Sequence, residues 1–283
     1  MDGFVLIDKE PGYTSKDVSM KVGKFFHTTR VGHIGTLDPF ASGLLLVMIN
    51  KATKSLLCFE DFSKRYVATI KLGEFKDTMD TEGTTTETRP IPKLNREFIE
   101  KTLNKFLGKS MQTVPLTSAV HVNGRRLYEY ARKGESVDLP VREIEIFDIK
   151  LVDFTDEEIT FEAYVSKGTY IRVLGADIAK ELGTVGYLNA LRRIAVGPFT
   201  VEEASKIDEI SLEKVQPIGK TLMRFMKTKT VDDIEALDIK NGKIKVYPLE
   251  VDEEKLLIVD SKNNPIALYT NVDNQYIFRR GLF

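Results

Sequence analysis

The densest run of chemistry-bearing residues is RVGHIGTLDPFASGLLL, residues 30–46. Gly32 and Gly35 free the backbone to turn, and Pro39 pushes Asp38 toward an extended conformation. A loop of this kind holds one carboxylate in a fixed attitude beside an apolar run, with His33 shortly before it. An arbitrary Asp-Pro more often only closes an Asx-type turn, so the carboxylate needs a partner. SKGTYIRVLGADIAKELG, starting at Ser166, offers one. Tyr170 and Arg172 are two apart, and extended geometry would point both to one side. An arginine near Asp38 favours the ionised carboxylate and orients it through paired hydrogen bonds. From spacing alone, a surface charge is the simpler reading of Arg172. In SKRYVATIKLGEFKDTMDTEG, Tyr66 opens a strand, and a loop with Asp77, Thr78 and Asp80 follows. A tyrosine there can stack on a base, although core packing is commoner for a lone one. NGRRLYEYARK (123–133) and LNALRR (188–193) interleave basic with aromatic or apolar residues. That suits phosphate contacts plus stacking, and equally a solvated helix face.

Other chemistries lack their signatures. Cys58 is the single cysteine, and His27, His33 and His121 have no zinc-type spacing. Neither a phosphate-binding G-x-x-x-x-G-K-[ST] nor a dinucleotide-binding G-x-G-x-x-G is present. No metal and no dissociable cofactor is expected, and what remains is chemistry by a lone carboxylate on a base or a sugar. The 283 residues carry 41 Lys+Arg against 42 Asp+Glu, a net charge of -1 that at first sight argues against a polyanionic partner. The total averages unlike regions: nine acids against four lysines in residues 231–260 conceal basic segments at 125–133, 192–193 and 220–229. The opening MDGFVLIDKEPGYTS is acidic and lacks the long apolar stretch of a signal peptide, so a soluble, cytoplasmic protein without membrane contact is expected.

The elements that must position these residues mix without regular βαβ alternation, which predicts α+β with a mixed, largely antiparallel sheet flanked by helices. Strands are predicted at 3–8, 44–49, 65–72, 119–122, 143–154, 159–166 and 194–201. Helices are predicted after a cap at Thr14 or Ser15, and at 52–60, 96–107, 126–133, 171–182 and 187–193. The run 44–49 is unbroken and apolar, as in a strand buried on both faces. A charge shift near residue 228 separates a domain at 1–228 from a small all-β unit at 229–283, with strands at 243–247, 256–259 and 266–269.

Taken together, five ordered blocks resemble the TruB-type tRNA pseudouridine-55 synthases. GHIGTLDPFASGLL is similar to that family's catalytic motif, usually GHTGTLDPLATGLL. LIDKEPGYTS, KRYVATIKLG, residues 115–132, and SKGTYIR followed by LRR occur in the family's order, over about residues 3–200. The resemblance implies a pseudouridine-synthase-like fold with a PUA-like RNA-binding domain at 229–283. It implies that a uridine at position 55, in the T-loop of tRNA, is flipped out and isomerised with Asp38 as nucleophile. Arg172 would be its salt-bridge partner and Tyr66 would lie against the flipped base. Tyr170 and Leu191 would line the uracil pocket, and His33 would hold the splayed T-loop. Lys9, Pro11 and Gly35 would support the active-site loop, and Asp80 is assigned to the substrate side. The partner is the T-stem-loop of tRNA, with no obligate protein partner. The chain departs from the family pattern at Ile34, Phe40 and Ser42, and in VPLTSAVH (114–121) where PPMYSALK-like runs are usual. Two other readings stand beside the isomerase: a catalytically silent tRNA-binding or folding module on the same scaffold, and a glycosylase. The latter would need a second carboxylate, for which Asp77 and Asp80 are the nearby loop candidates.

Overall fold

A computed structural model describes residues 1–248 and 253–283. The acidic run 231–260 and the unit 229–283 therefore lie partly outside the described residues. The chain forms two compact units, one of residues 1–39, 43–61 and 197–283, the other of residues 40–42 and 62–196.

The chain opens with β1 (Gly3–Lys9), α1 (Ser15–Phe25), β2 (Val31–Ile34) and β3 (Ser42–Ile49). β1 and β2 both pair antiparallel with β3. Alternation along the strands explains why the run 44–49 is apolar throughout. Val5, Ile7, Leu45, Val47 and Ile49 pack with Val18 and Val22 of α1 and with Ile210. Phe4, on the other face, meets Phe59 at 5.2 Å, and Phe59 in turn meets Phe225 at 5.1 Å. Thr14 is the cap of α1: its hydroxyl accepts from Asp17 N, and the Asp17 carboxylate accepts from Thr14 N, both at 3.0 Å. The helix expected at 52–60 is a 3-10 stretch, Asn50–Phe59.

The second unit holds β4 (Lys64–Leu72), the hairpin β5 (Glu74–Lys76) and β6 (Thr85–Thr88), α2 (Arg96–Asn104) and β7 (Gly108–Thr113). A small hairpin, β8 (His121–Val122) and β9 (Arg125–Arg126), turns on Asn123 and Gly124, both with positive φ, and leads into α3 (Leu127–Lys133). β10 (Val141–Phe154), β11 (Glu158–Val165), α4 (Ile171–Glu181) and β12 (Gly186–Val196) complete it. The sheet runs β12-β4-β11-β10-β7, antiparallel at every pairing. α4 lies close against it at two glycines: a Cβ at Gly175 would come within 2.7 Å of Leu188, and one at Gly186 within 2.8 Å of Ala179 and Ile70.

One expected helix is a strand. Residues 187–193 belong to β12, and the reason is a bulge between Leu188 and Ala190 in the register with β4. The bulge brings Leu188 and Leu191 both to buried positions three apart, which imitates a helical repeat. The strand expected at 194–201 is the end of β12 and the two residues of β13 (Phe199–Thr200), divided by Gly197-Pro198.

After β13, three 3-10 turns and α5 (Ile218–Leu222) lead to β14 (Lys227–Thr230), α6 (Asp233–Lys240), β15 (Tyr247–Pro248), β16 (Lys255–Val259), β17 (Pro265–Val272) and β18 (Gln275–Gly281). These five strands form a sheet ordered β14-β16-β17-β18-β15, with β14 parallel to β16. Its core contains Val231, Ile239, Tyr247, Ile258, Ile266, Tyr269 and Tyr276. The strand expected at 243–247 shrinks to Tyr247–Pro248. Ile244 and Val246 alternate as a strand would, yet they are 50% and 53% exposed and have no face to bury.

Candidate active site

In the first unit, the loop carrying Asp38 is held on both sides of that residue. Before it, Leu37 N donates to Ser15 Oγ at 2.8 Å and Leu37 O accepts from the same hydroxyl at 3.0 Å. After it, Pro39 O accepts from Gly12 N at 2.9 Å and from Lys9 Nζ at 3.1 Å. Lys9 is 1% exposed, and its ammonium also donates to Tyr13 O at 2.7 Å and Glu10 O at 3.0 Å. A buried ammonium is tolerated where carbonyls replace its water, and here they belong to the two segments that frame the loop. Gly35 takes φ +67, left-handed backbone that favours glycine, and lets the chain leave β2. Pro11 is exposed, in the turn that carries Gly12. Asp38 is half-buried. His33, on β2, is bonded at both ring nitrogens, Nδ1 with Ser19 Oγ at 3.0 Å and Nε2 with Thr36 Oγ1 at 3.2 Å.

In the second unit, Arg172 is the second residue of α4 and 3% exposed, which excludes its reading as a surface charge. Nη1 donates to Thr78 O and to Thr117 Oγ1, each at 2.7 Å, and Nη2 donates to Thr117 O at 2.9 Å. Asp80 Oδ2 pairs with Nη1 at 3.4 Å. Asp80 is 3% exposed, and its Oδ1 accepts from Thr78 Oγ1 at 2.6 Å and from Glu82 N at 3.0 Å. Met79 between them has φ +61, a left-handed conformation unusual for methionine. Its carbonyl is held by Leu188 N at 3.0 Å, so β12 stabilises the strained turn that presents Thr78 and Asp80 to the arginine.

Tyr66 of β4 pairs with Arg193 and Ala68 with Leu191 across to β12, which brings all four side chains to one face of the sheet. Tyr66 and Leu191 are 8% and 7% exposed. Arg193 is 1% exposed, so the basic segment expected at 192–193 does not offer that guanidinium to solvent as a phosphate contact. Tyr170 is half-buried at the N-cap of α4, packed on the cluster of Val114, Leu127 and Tyr130. The spacing of residues 166–172 carried no sign of Gln112 or Thr117, which hold Tyr170 and Arg172; the departure VPLTSAVH was the one signal at Thr117. Among the described residues, no three or more His, Cys, Asp or Glu side chains are grouped to hold a metal ion.

The fold is shared with the chain in the crystal structure of a Cbf5-Nop10-Gar1 complex, at a TM-score of 0.77 and 22% identity, covering 99% of this chain and 85% of that one. An H/ACA RNP bound to a substrate RNA containing 2'-deoxyuridine gives 0.75 at 20% identity, covering 99% and 85%. The family described as TruB family pseudouridylate synthase (N terminal domain) matches residues 23–171. A Hydrogenovibrio crunogenus protein named tRNA pseudouridine synthase B is 39% identical over 266 residues, 92% of this chain and 85% of that protein. Its Aquifex aeolicus namesake is 39% identical over 260 residues, 88% and 90% of the two chains. The namesake from Aster yellows witches'-broom phytoplasma is 35% identical over 286 residues, the full length of both. The protein thus falls among the pseudouridylate synthases. Within them, the chain belongs to the TruB family.

Proposed function

We propose that this protein isomerises uridine to pseudouridine at position 55 in the T-loop of tRNA, with Asp38 as the nucleophile. The reading rests on the family and on one structural observation, the two-sided clamp of the Asp38 loop by Ser15 before it and Lys9 after it. In the reaction the bond from ribose C1′ to N1 of uracil breaks, the ring rotates, and a bond from C1′ to C5 forms. N1, which carries no proton while bonded to ribose, gains one, and the C5 proton leaves to solvent. The exchange is redox-neutral, so it calls for no electron carrier. Attack of the carboxylate at C1′ or at the base both require an ionised, pre-positioned aspartate, and a clamped backbone supplies the positioning.

In this reading Arg172 pairs with Asp38 and keeps it charged, while Asp80, on the substrate side, pairs with Arg172. Tyr66 lies against the flipped base, Tyr170 and Leu191 wall its pocket, and His33, set by Ser19 and Thr36, meets the opened loop. Apolar and aromatic walls offset the few kcal/mol that base extrusion costs. The 229–283 segment acts as the PUA-like RNA-binding part. The glycosylase reading loses one of its two candidate acids, because both oxygens of Asp80 are already engaged, by Thr78, Glu82 and Arg172, which leaves it Asp77 alone.

Nucleoside analysis of tRNA after incubation separates the readings. Pseudouridine in wild-type tRNA, and none in tRNA with uridine 55 replaced by cytidine, is the expected result. Free uracil would point to a glycosylase, and unmodified tRNA to a silent binding module.

A further inference from the structure

β7 and the segment that follows it hold the start of α4 at two points, the backbone of Tyr170 and the guanidinium of Arg172. We infer that Gln112 and Thr117 are positioning residues that set the plane of the Arg172 guanidinium and thereby the rate of the chemical step; the inference rests on the reading of Arg172 as the partner of Asp38.

Gln112 is 5% exposed on β7. Its Nε2 donates to Tyr170 O at 3.1 Å, and its Oε1 accepts from Tyr170 N at 2.8 Å. One side-chain amide thus pairs with both backbone polar groups of the residue that begins α4, where no side chain caps the helix. Thr117 takes both terminal nitrogens of Arg172, Nη1 through its hydroxyl and Nη2 through its carbonyl. With Thr78 O on the second Nη1 hydrogen, a planar group is held at three points and cannot swing about its long side chain. The Thr117 segment is itself anchored, by Tyr128 N to Ser118 O at 3.0 Å and Leu127 N to Val120 O at 2.8 Å. Thr117 stands where the PPMYSALK-like pattern has an aromatic residue, so this acceptor belongs to the departure found in VPLTSAVH. Donors aimed in advance at a charged group accelerate chemistry more than they tighten binding.

The test is Thr117→Val, which keeps the branched shape and removes the hydroxyl, beside Thr117→Ser, which restores it. The readouts are the single-turnover rate of tritium release from C5-labelled uridine in tRNA at saturating protein, the Kd for tRNA by filter binding, and the melting temperature. Loss of one hydrogen bond to a charged group predicts a rate roughly 10- to 100-fold lower for Thr117→Val. Its Kd should stay within about threefold of wild type, and Thr117→Ser should recover to within about threefold in rate. Gln112→Leu should show the same split between rate and Kd. A wild-type rate in Thr117→Val would overturn the inference, as would a loss that Thr117→Ser does not restore or that follows Kd and melting temperature in proportion. Wild-type protein that releases no tritium would instead bring down the reaction assignment, and this inference with it.

Discussion

At the scale of single residues, Lys9 and Cys58 show how burial decides what a side chain does. Lys9 places its ammonium among three carbonyls, and removing it leaves two of them, those of Glu10 and Tyr13, short of a donor while unlinking Pro39 from β1. Lys9→Met is therefore expected to lower stability by about 2–3 kcal/mol, read as a drop in the urea midpoint at unchanged m-value. It should also slow single-turnover chemistry, because Pro39 adjoins Asp38. Cys58 is 4% exposed, and burial pushes its thiol up to about 12. Iodoacetamide at pH 8 should leave it unmodified in the native protein and label it in urea; rapid native labelling would refute that account. The held loop around Asp38 was legible from its glycine and proline frame. The burial of Arg172 on α4 and Arg193 on β12 was not, since a helix or strand that hides an arginine and one that displays it read alike without their neighbours.

At the scale of elements, the strands of the second unit were legible where burial alternates, as in β4 and β11, and β12 was obscured by its bulge. Helix propensity in LNALRR lost to pairing with β4, because strand preference is set by neighbours across the sheet. On the half-buried face of that sheet, Glu162 of β11 meets Arg65 at 2.7 Å and Lys150 at 3.2 Å. Burial raises the carboxyl, but the hydrogen bonds and charges of these two cations outweigh it and hold the group below its usual value. A folded-state pKa below the unfolded one adds stability that is present above about pH 4.3 and is lost as pH falls through the folded value. Glu162→Gln should flatten the fall of stability in that acid window, and an unchanged pH profile would argue against the coupling. The loop after β5 carries a sharper demand: a Cβ on Gly83 would come within 2.3 Å of Thr78 Oγ1 and 2.5 Å of Asp77 Oδ1. Gly83→Ala must displace the turn that presents Thr78 and Asp80 to Arg172. We expect it to reduce turnover at least about tenfold, as displacement by a fraction of an ångström does at a pre-aligned site.

At the scale of the whole molecule, net charge was the least legible feature. The total of -1 describes no particular surface, and burial of Arg193 removes one cation from those available to RNA. Affinity for tRNA should still fall linearly with salt on logarithmic axes, at roughly 0.7 to 0.9 per phosphate neutralised, and a salt-independent Kd would contradict a phosphate-binding surface. The charge shift near residue 228 marks the entry to the C-terminal sheet, yet residues 197–283 share a compact unit with β1 and most of β3. Within that unit Lys255 donates to Leu57 O at 3.0 Å and pairs with Asp61 at 2.5 Å. Such long-range contacts leave no trace in local composition. The reaction itself is tested most directly by tritium release from tRNA labelled at C5 of uridine, comparing wild type with Asp38→Asn at equal, saturating tRNA. The wild type should release tritium equivalent to one uridine per tRNA, and Asp38→Asn should release none while binding tRNA with a similar Kd. Substantial release by Asp38→Asn would contradict the assignment of Asp38 as the nucleophile.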